Sequence, residues 1–444
     1  MKSSRDYQRG GGMQRLRDLL INRDFALLFM GRFVSQIGDG IHYFAMAWLV
    51  LDLTGSGTAL GTLLMAASLP SILLAPFSGV LADTLNRKKI VVSMDIVRGL
   101  LVLTLAVIHW TGQLTLPVLY IVTILLSLSG VLFSPAIMAT LPGLVKREEL
   151  PKANARSAFS NSVTGTLGPI VGALLLANFG YLGIFLINGV SFLLSAISEL
   201  FIRFPKQQPL AQTNNARADF FNNFKDGFRF LWKNAGLRVL IAGGLLLNFL
   251  FNPLFGVVFP YFGKEILLMP AEHFGLSQSS FPVGMLLGTM VVAVLAQKFS
   301  KIRILTGAAT LQGLLVMALG VLALPAIHSQ LAPYGVLLAL MVPMLFMGII
   351  SVQVNVQVNT MMQETVPDGY RGRVFAMFGS LMQLASPLGM GLFGLLLGWI
   401  PVHVFFLVCG TMAVATAAAF AASPSLRILC GEEEPAAMPA MKSA

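Results

Sequence analysis

Apolar runs of about twenty residues, separated by short polar connections, recur along the chain from about residue 25 to residue 422. A bilayer core about 30 Å thick takes roughly 20 residues of helix to cross. The pattern predicts twelve spans, at 25–50, 58–82, 90–110, 116–139, 157–177, 182–202, 238–262, 277–297, 304–325, 333–358, 374–398 and 402–422. Alternation of the strand type stands out in SVQVNVQVN at 351–359. An open strand in lipid would leave its backbone unpaired, so helix is predicted there too. The longest polar stretch, 204–237, comes after six spans and leaves six behind it. It opens as linker, PKQQPLAQTNNARAD. Phe220, Phe224, Phe228 and Leu231 then recur at helical spacing among Lys225, Arg229 and Lys233, predicting an amphipathic helix on the cytoplasmic membrane face. The organisation expected is an all-α membrane protein of twelve transmembrane helices. An N-terminal six-helix bundle (1–203) precedes a linker with its helix (204–237), a C-terminal six-helix bundle (238–422) and a tail (423–444).

Composition agrees with that pattern: 56% of the 444 residues are hydrophobic and 11% charged, against about 25% charged in a soluble domain. A net charge of +11 would suggest nucleic acid in a soluble protein, but here the distribution of charge decides the matter. With the N-terminus in the cytoplasm, 27 of the 30 Lys and Arg fall on one side; Arg32 and Arg98 lie within spans and only Lys264 is outside. This asymmetry is the positive-inside rule, with both termini cytoplasmic. It predicts a lipid bilayer and no nucleic acid as partner. Cys409 and Cys430 sit at different depths and suggest no disulfide. The five histidines show no metal-ligand spacing. No G-x-x-x-x-G-K-[ST] loop occurs, so ATP is not expected to drive the chain directly. Without a nucleophile–base pair either, the reading is neither an enzyme nor a cofactor protein.

Charge at membrane depth is costly and marks function by default. Arg32, Gln36, Asp39 and Tyr43 follow i, i+4, i+7 and i+11 along span 1, on one stripe. Arg32 and Asp39 are two turns apart, roughly 10 Å along the axis, so a bridge through Gln36 or water is expected rather than direct pairing. Asp39 is the candidate to take up and release a coupling proton; the competing reading is an ionised Asp that orders water or neighbouring helices. Asp95 and Arg98, near the cytoplasmic end of span 3, have the spacing of a local ion pair, with Arg87 as a second prospective partner for Asp95. A structural or gating role is favoured for them over substrate binding. Asn248 and Asn252 before Pro253, Asn355 on one face with Ser351 and Asn359, and Gln383 near Pro387 are the candidate polar residues of a cavity, against the alternative of interhelical hydrogen bonding.

The most specific motif is GVLADTLNRKK at 79–89. Without gaps it aligns with AVLAQKFSKIR after span 8, Leu81-Ala82 on Leu295-Ala296 and Arg87 on Lys301, suggesting a six-plus-six repeat. The segment resembles motif A of the major facilitator superfamily, G-x-L-A-D-x-x-G-R-K, through Gly79, Leu81, Ala82, Asp83, Arg87 and Lys88. Thr84 and Asn86 depart from it. Asn tolerates a left-handed backbone nearly as Gly does, so the turn is expected to survive. The resemblance implies that Gly79, Asp83, Arg87 and Lys88, with Asp95 and Arg98 close by, latch a cytoplasmic gate. TGTLGPIVGA in span 5, with Gly165, Gly168, Pro169 and Gly172, looks like motif C of exporters, though its first spacing is one residue short and Ala173 replaces the last Gly. Close helix packing alone is the alternative. Span 4 carries no Arg, so the motif B arginine of drug:proton antiporters is missing.

Longer stretches, among them NRDFALLFMGRFVSQIGDG and QETVPDGYRGRVFAMFG, are similar to the bacterial branch that includes macrolide-efflux proteins, the enterobactin exporter and the lysophospholipid transporter. The resemblance implies the major facilitator fold in a bacterial inner membrane and a monomer working as an antiporter by alternating access. Its implied activity is proton-coupled multidrug efflux of amphipathic small molecules such as macrolides. Siderophore export or lysophospholipid movement is the alternative, and a receptor or channel lies further off.

Overall fold

The computed structural model describes residues 21–204 and 216–432. Nine helices among the described residues are long and apolar enough to cross a membrane. One of them runs through a bend at Gly180 (φ 62°, ψ −170°), a left-handed conformation that favours glycine, and so contains two spans. Two further long helices, Arg23–Thr54 and Ala271–Lys298, complete a set consistent with twelve crossings. Large apolar side chains such as Trp399 and Met290 are 88% and 76% exposed. Exposed apolar surface on this scale suits lipid rather than water.

Two compact units emerge, 1–55 with 66–214, and 56–65 with 215–444. The first unit holds α1 (Arg23–Thr54), most of α2 (Gly57–Thr84), α3 (Arg87–Trp110), α4 (Leu116–Leu144) and α5 (Leu150–Leu200). Gly180 divides α5 into limbs 150–179 and 181–200. The start of α1 is fixed by Asn22, whose side chain accepts from Phe25 N at 2.8 Å and donates to Leu144 O at 2.7 Å. Its end is fixed by Gly55 in the left-handed region, whose N–H donates to Leu51 O. Helix α1 packs along both limbs of α5 through small residues. Gly31 and Gly38 face Ser195, Ser198, Asn188 and Ser191 of the second limb, and Gly40 meets Gly168 of the first, where an added Cβ would stand 2.9 Å from Gly40 Cα. Only residues without side chains allow helix backbones so close.

The second unit holds α6 (Ala216–Lys233), α7 (Ala235–Pro253, continuing to Ile266), α8 (Ala271–Lys298), α9 (Lys301–Leu322), α10 (Pro333–Thr365), α11 (Asp368–Leu396) and α12 (Val402–Ala422). Glycine pairs again set the crossings. Gly313 meets Gly410 between α9 and α12, and Gly284 and Gly348 bring α8 onto α10. The amphipathic helix exists as α6, and one side of it packs on protein. Leu231 is buried, Gly227 lies against the Arg373 backbone, Phe230 stacks on Tyr370 and Arg373 pairs with Asp226 at 3.2 Å. Phe228 and Trp232 stack on each other and stay exposed, whereas the side chains of Phe220 and Phe224 lie outside the described residues. Helix α7 is irregular. Proline at 253 offers no N–H to Phe249 O, and π-helical turns follow at Leu254–Val258 and Phe262–Ile266. The start of α2 belongs to this unit, where Thr58 Oγ1 donates to Gly394 O at 2.8 Å.

Candidate functional site

The stripe on α1 is divided between two jobs. Both ends of the Gln36 amide are engaged with α5, Nε2 donating to Asn161 at 2.7 Å and Oε1 accepting from Ser160 at 2.8 Å. Gln36 therefore does not bridge Arg32 to Asp39, contrary to the expectation from spacing. A glutamine one turn from each is equally well placed to serve a neighbouring helix, and the buried Ser160 needed a partner. Asp39 and Tyr43 remain exposed on α1, although Gly38 and Gly40 on either side of Asp39 are packed against the two limbs of α5. Arg32 lines a cleft with Phe29, Gln36, Leu141 and Ser160. Near the C-terminal end of α1, the Tyr181 phenol bonds to Asp52.

The ion pair expected on α3 is present: Arg98 Nη1 lies 3.5 Å from Asp95 Oδ1. Its guanidinium lies over the rings of Phe133 (4.5 Å) and Phe192 (5.6 Å). Asp95 is fully buried, and neither of its oxygens accepts a hydrogen bond. Arg87 donates instead to Ala139 O at 3.0 Å. Lys88 closes the end of α5, donating to Leu200 O and Ile202 O at 2.6 and 3.0 Å. Asn86 does not take the left-handed conformation expected of it. At φ −64°, ψ 109° it is the N-cap of α3, accepting from Lys89 N at 3.1 Å. Helix formation beyond the loop rewards a capping side chain, which glycine lacks. The side chains at 79–84, with Gly79 and Asp83 among them, and the basic residues before 21 lie outside the described residues.

Glu199 is a further buried acid, and sequence reasoning passed it over. It is fully buried in the last turn of α5, and its carboxylate accepts no hydrogen bond. The signal was available, since an acidic residue stands inside the span predicted at 182–202 with Ser195 one turn before it.

Of the motif C-like residues, Gly168 and Gly172 face α1, Gly172 leaving a Cβ 3.3 Å from Ile41 and Phe44. Around Gly165 nothing lies within 4 Å. Pro169 sits within α5 beside Gly168. In the second unit, Asn252 donates to Asn248 at 3.0 Å, and Asn248 reaches Gly244 O and Met382 Sδ. Asn355 and Asn359 are exposed and donate to carbonyls one turn back in α10. The buried glutamines on α10 are Gln353, which donates to Gly288 O at 2.9 Å, and Gln357. Ser351 accepts from Gln312 of α9. Gln383 is exposed on α11.

Comparison with known proteins places the chain. Residues 28–389 match the family model described as Major Facilitator Superfamily. "Macrolide efflux protein A" of Streptococcus pyogenes is 27% identical over 394 residues, 88% of this chain and 94% of that protein. "Multidrug efflux pump Tap" of Mycolicibacterium fortuitum is 28% identical over 402 residues, 86% and 91% of the two chains. The crystal structure of the nucleoside transporter NupG has a TM-score of 0.69 at 14% identity, covering 89% of this chain and 98% of that one. That of a bacterial homologue of the iron transporter ferroportin in the inward-facing state has a TM-score of 0.64 at 19% identity, covering 89% and 98%. At such identities the structures speak for the fold alone, whereas the family match spans most of the sequence. This chain belongs to the major facilitator superfamily and is a multi-pass transporter of a bacterial membrane.

Proposed function

We propose that the protein exports amphipathic small molecules of the macrolide type from the cytoplasm in exchange for protons. It works as a monomeric antiporter of the inner membrane, by alternating access, with both termini cytoplasmic. The observation that carries this reading is Asp39, an acid presented at membrane depth on α1 while its glycine neighbours lock that helix to α5. A carboxylate held on a rigid element and open to one side can exchange a proton without the helix rearranging. The relatives named for macrolide and multidrug efflux, similar over nearly their full lengths, support the cargo class. Asn248, Asn252, Asn355 and Gln383 would supply polar contacts to the substrate. Gly79, Asp83, Arg87 and Lys88 would latch the cytoplasmic side. A polyanionic siderophore fits less well, because Arg98 is committed to Asp95 and only Arg32 is left at membrane depth for an anion.

The test is transport in proteoliposomes under an imposed pH gradient, with a labelled macrolide, a siderophore and a lysophospholipid as cargoes. Macrolide movement that follows the gradient and fails in Asp39→Asn is expected. Gradient-driven macrolide transport that survives Asp39→Asn would remove the proton role. Transport of the lysolipid alone would replace the cargo.

A further inference from the structure

In the first unit two fully buried carboxylates, Asp95 and Glu199, share one largely buried cation, Arg98. Arg98 lies within charge-interaction range of three carboxylates: Asp39 on α1, Asp95 on α3 and Glu199 on α5. Arg32 is the other cation near it. With the exposed Asp39 and the half-buried Arg32 set against each other, ionising both buried acids would leave two anions on one guanidinium and one negative charge over. In a low-dielectric interior an unbalanced charge is costly enough that a group neutralises instead.

The local geometry says which one. Asp95 has Arg98 at 3.5 Å, whereas no cation within salt-bridge distance of Glu199 is found among the described residues. Lys88, the lysine that closes the same helix end, spends its ammonium on Leu200 O and Ile202 O. Glu199 occupies the last turn of α5, where the helix dipole presents its negative end and disfavours an anion. Ser195, one turn earlier, is itself fully buried and stands beside both carboxylates. Helix α4, which also packs against α3, carries no Asp, Glu, Lys, Arg or His. The other limb of α5 brings only Lys152 and Arg156 at its far end.

We infer that Glu199 and Asp95 form a proton-binding site separate from Asp39, holding one proton on Glu199 next to an ionised Asp95 paired with Arg98. On release the proton leaves the Glu199 carboxyl for water, and the pair becomes a dianion that competes with Asp39 for Arg98. The site adds a second titrating centre to the proposed proton-driven cycle and rests on that reading for its role, though not for its existence.

The experiment is infrared spectroscopy of the purified full-length protein in lipid nanodiscs, without substrate, titrated from about pH 5 to about pH 10 in water and deuterium oxide. The wild type is expected to show a deuterium-sensitive absorption of a protonated carboxylic acid at neutral pH. Growth on carboxyl-¹³C glutamate should shift this band, a result that needs no substitution. Glu199→Gln should abolish the band. Asp39→Asn should keep it but move its loss to lower pH, because one nearby negative charge is gone. No protonated acid at neutral pH, a band indifferent to glutamate labelling, or a band lost in Asp39→Asn and kept in Glu199→Gln would each overturn the proposal. So would a titration displaced by sodium, which would make the ligand a metal cation. A protein that shows the band yet fails to move macrolides under a pH gradient would retain the site and lose the efflux reading.

Discussion

Three glycines of α5 make a graded experiment on the motif C-like stretch. An alanine at any of them gains helix propensity of about 1 kcal/mol, and this gain cancels when the variants are compared with one another. What remains is the fit of one methyl group. At Gly168 the methyl would stand 2.9 Å from Gly40 Cα and 3.1 Å from its carbonyl carbon, both backbone atoms that cannot rotate away. Ordinary carbon contacts begin at about 3.5 Å, so α1 and α5 must separate by roughly half an ångström. Overpacking of this kind costs about 1–3 kcal/mol. At Gly172 the methyl would meet Ile41 and Phe44 at 3.3 Å, and a small shift accommodates it; at Gly165 it meets nothing. Thermal unfolding of the detergent-purified protein, followed by size-exclusion chromatography of heated samples, should rank stability as Gly165→Ala, then Gly172→Ala, then Gly168→Ala. The extremes should differ by a few degrees or more, at about 2–4 °C per kcal/mol. Rank order is the readout, because heating a membrane protein is seldom reversible. If Gly168→Ala proved as stable as Gly165→Ala, the close crossing of α1 and α5 would be refuted.

In the second unit, Gly284→Ala and Gly348→Ala should each be worse than Gly168→Ala, since their methyls would overlap the backbone oxygens of Leu345 and Phe281; expression and monodispersity after purification measure this. Gln36→Leu strips partners from Ser160 and Asn161 and should cost about 1–3 kcal/mol in the same thermal assay, whereas Gln36→Glu, which keeps an acceptor for Ser160, should lose less. The Cys430 thiol is pushed up to about 11, first by burial and then by Glu432, with Lys301 opposing. Only the thiolate reacts, so maleimide labelling of Cys430 should be slow at neutral pH and keep rising tenfold per pH unit to about pH 11, and a plateau near pH 9 would contradict that environment. Cys409, only 1% exposed, should stay unlabelled until the protein unfolds.

The helices and the apolar faces were legible because lipid demands long apolar runs and leaves the backbone one economical conformation. The Asp95–Arg98 pair was legible for the same local reason, a spacing of three on one helix. Partners set by tertiary packing were not. Gln36 turned to Ser160 and Asn161 because α5 crosses there, and no pattern within span 1 encodes where another helix lies. Asn86 followed the local rule for capping a helix rather than the family rule for the loop. Alternation in 351–359 concealed a division of labour in which Gln353 and Gln357 are buried while Asn355 and Asn359 point out. Glycine 180 looked like one of many glycines, although its left-handed backbone divides α5.

The widened turns of α7 carry a mechanical implication. Each π-helical turn takes up one residue more than a regular turn, so the stretch before it and the stretch after it differ in angular setting. Moving such a defect along the rod by a few positions rotates only the residues it passes, and both ends stay where they are packed. Asn248 and Asn252 stand just ahead of the first defect. Their amides can therefore be re-aimed by a travelling dislocation rather than by displacing the whole helix, and removing one residue from Leu254–Val258 would take away the defect that stands nearest to them.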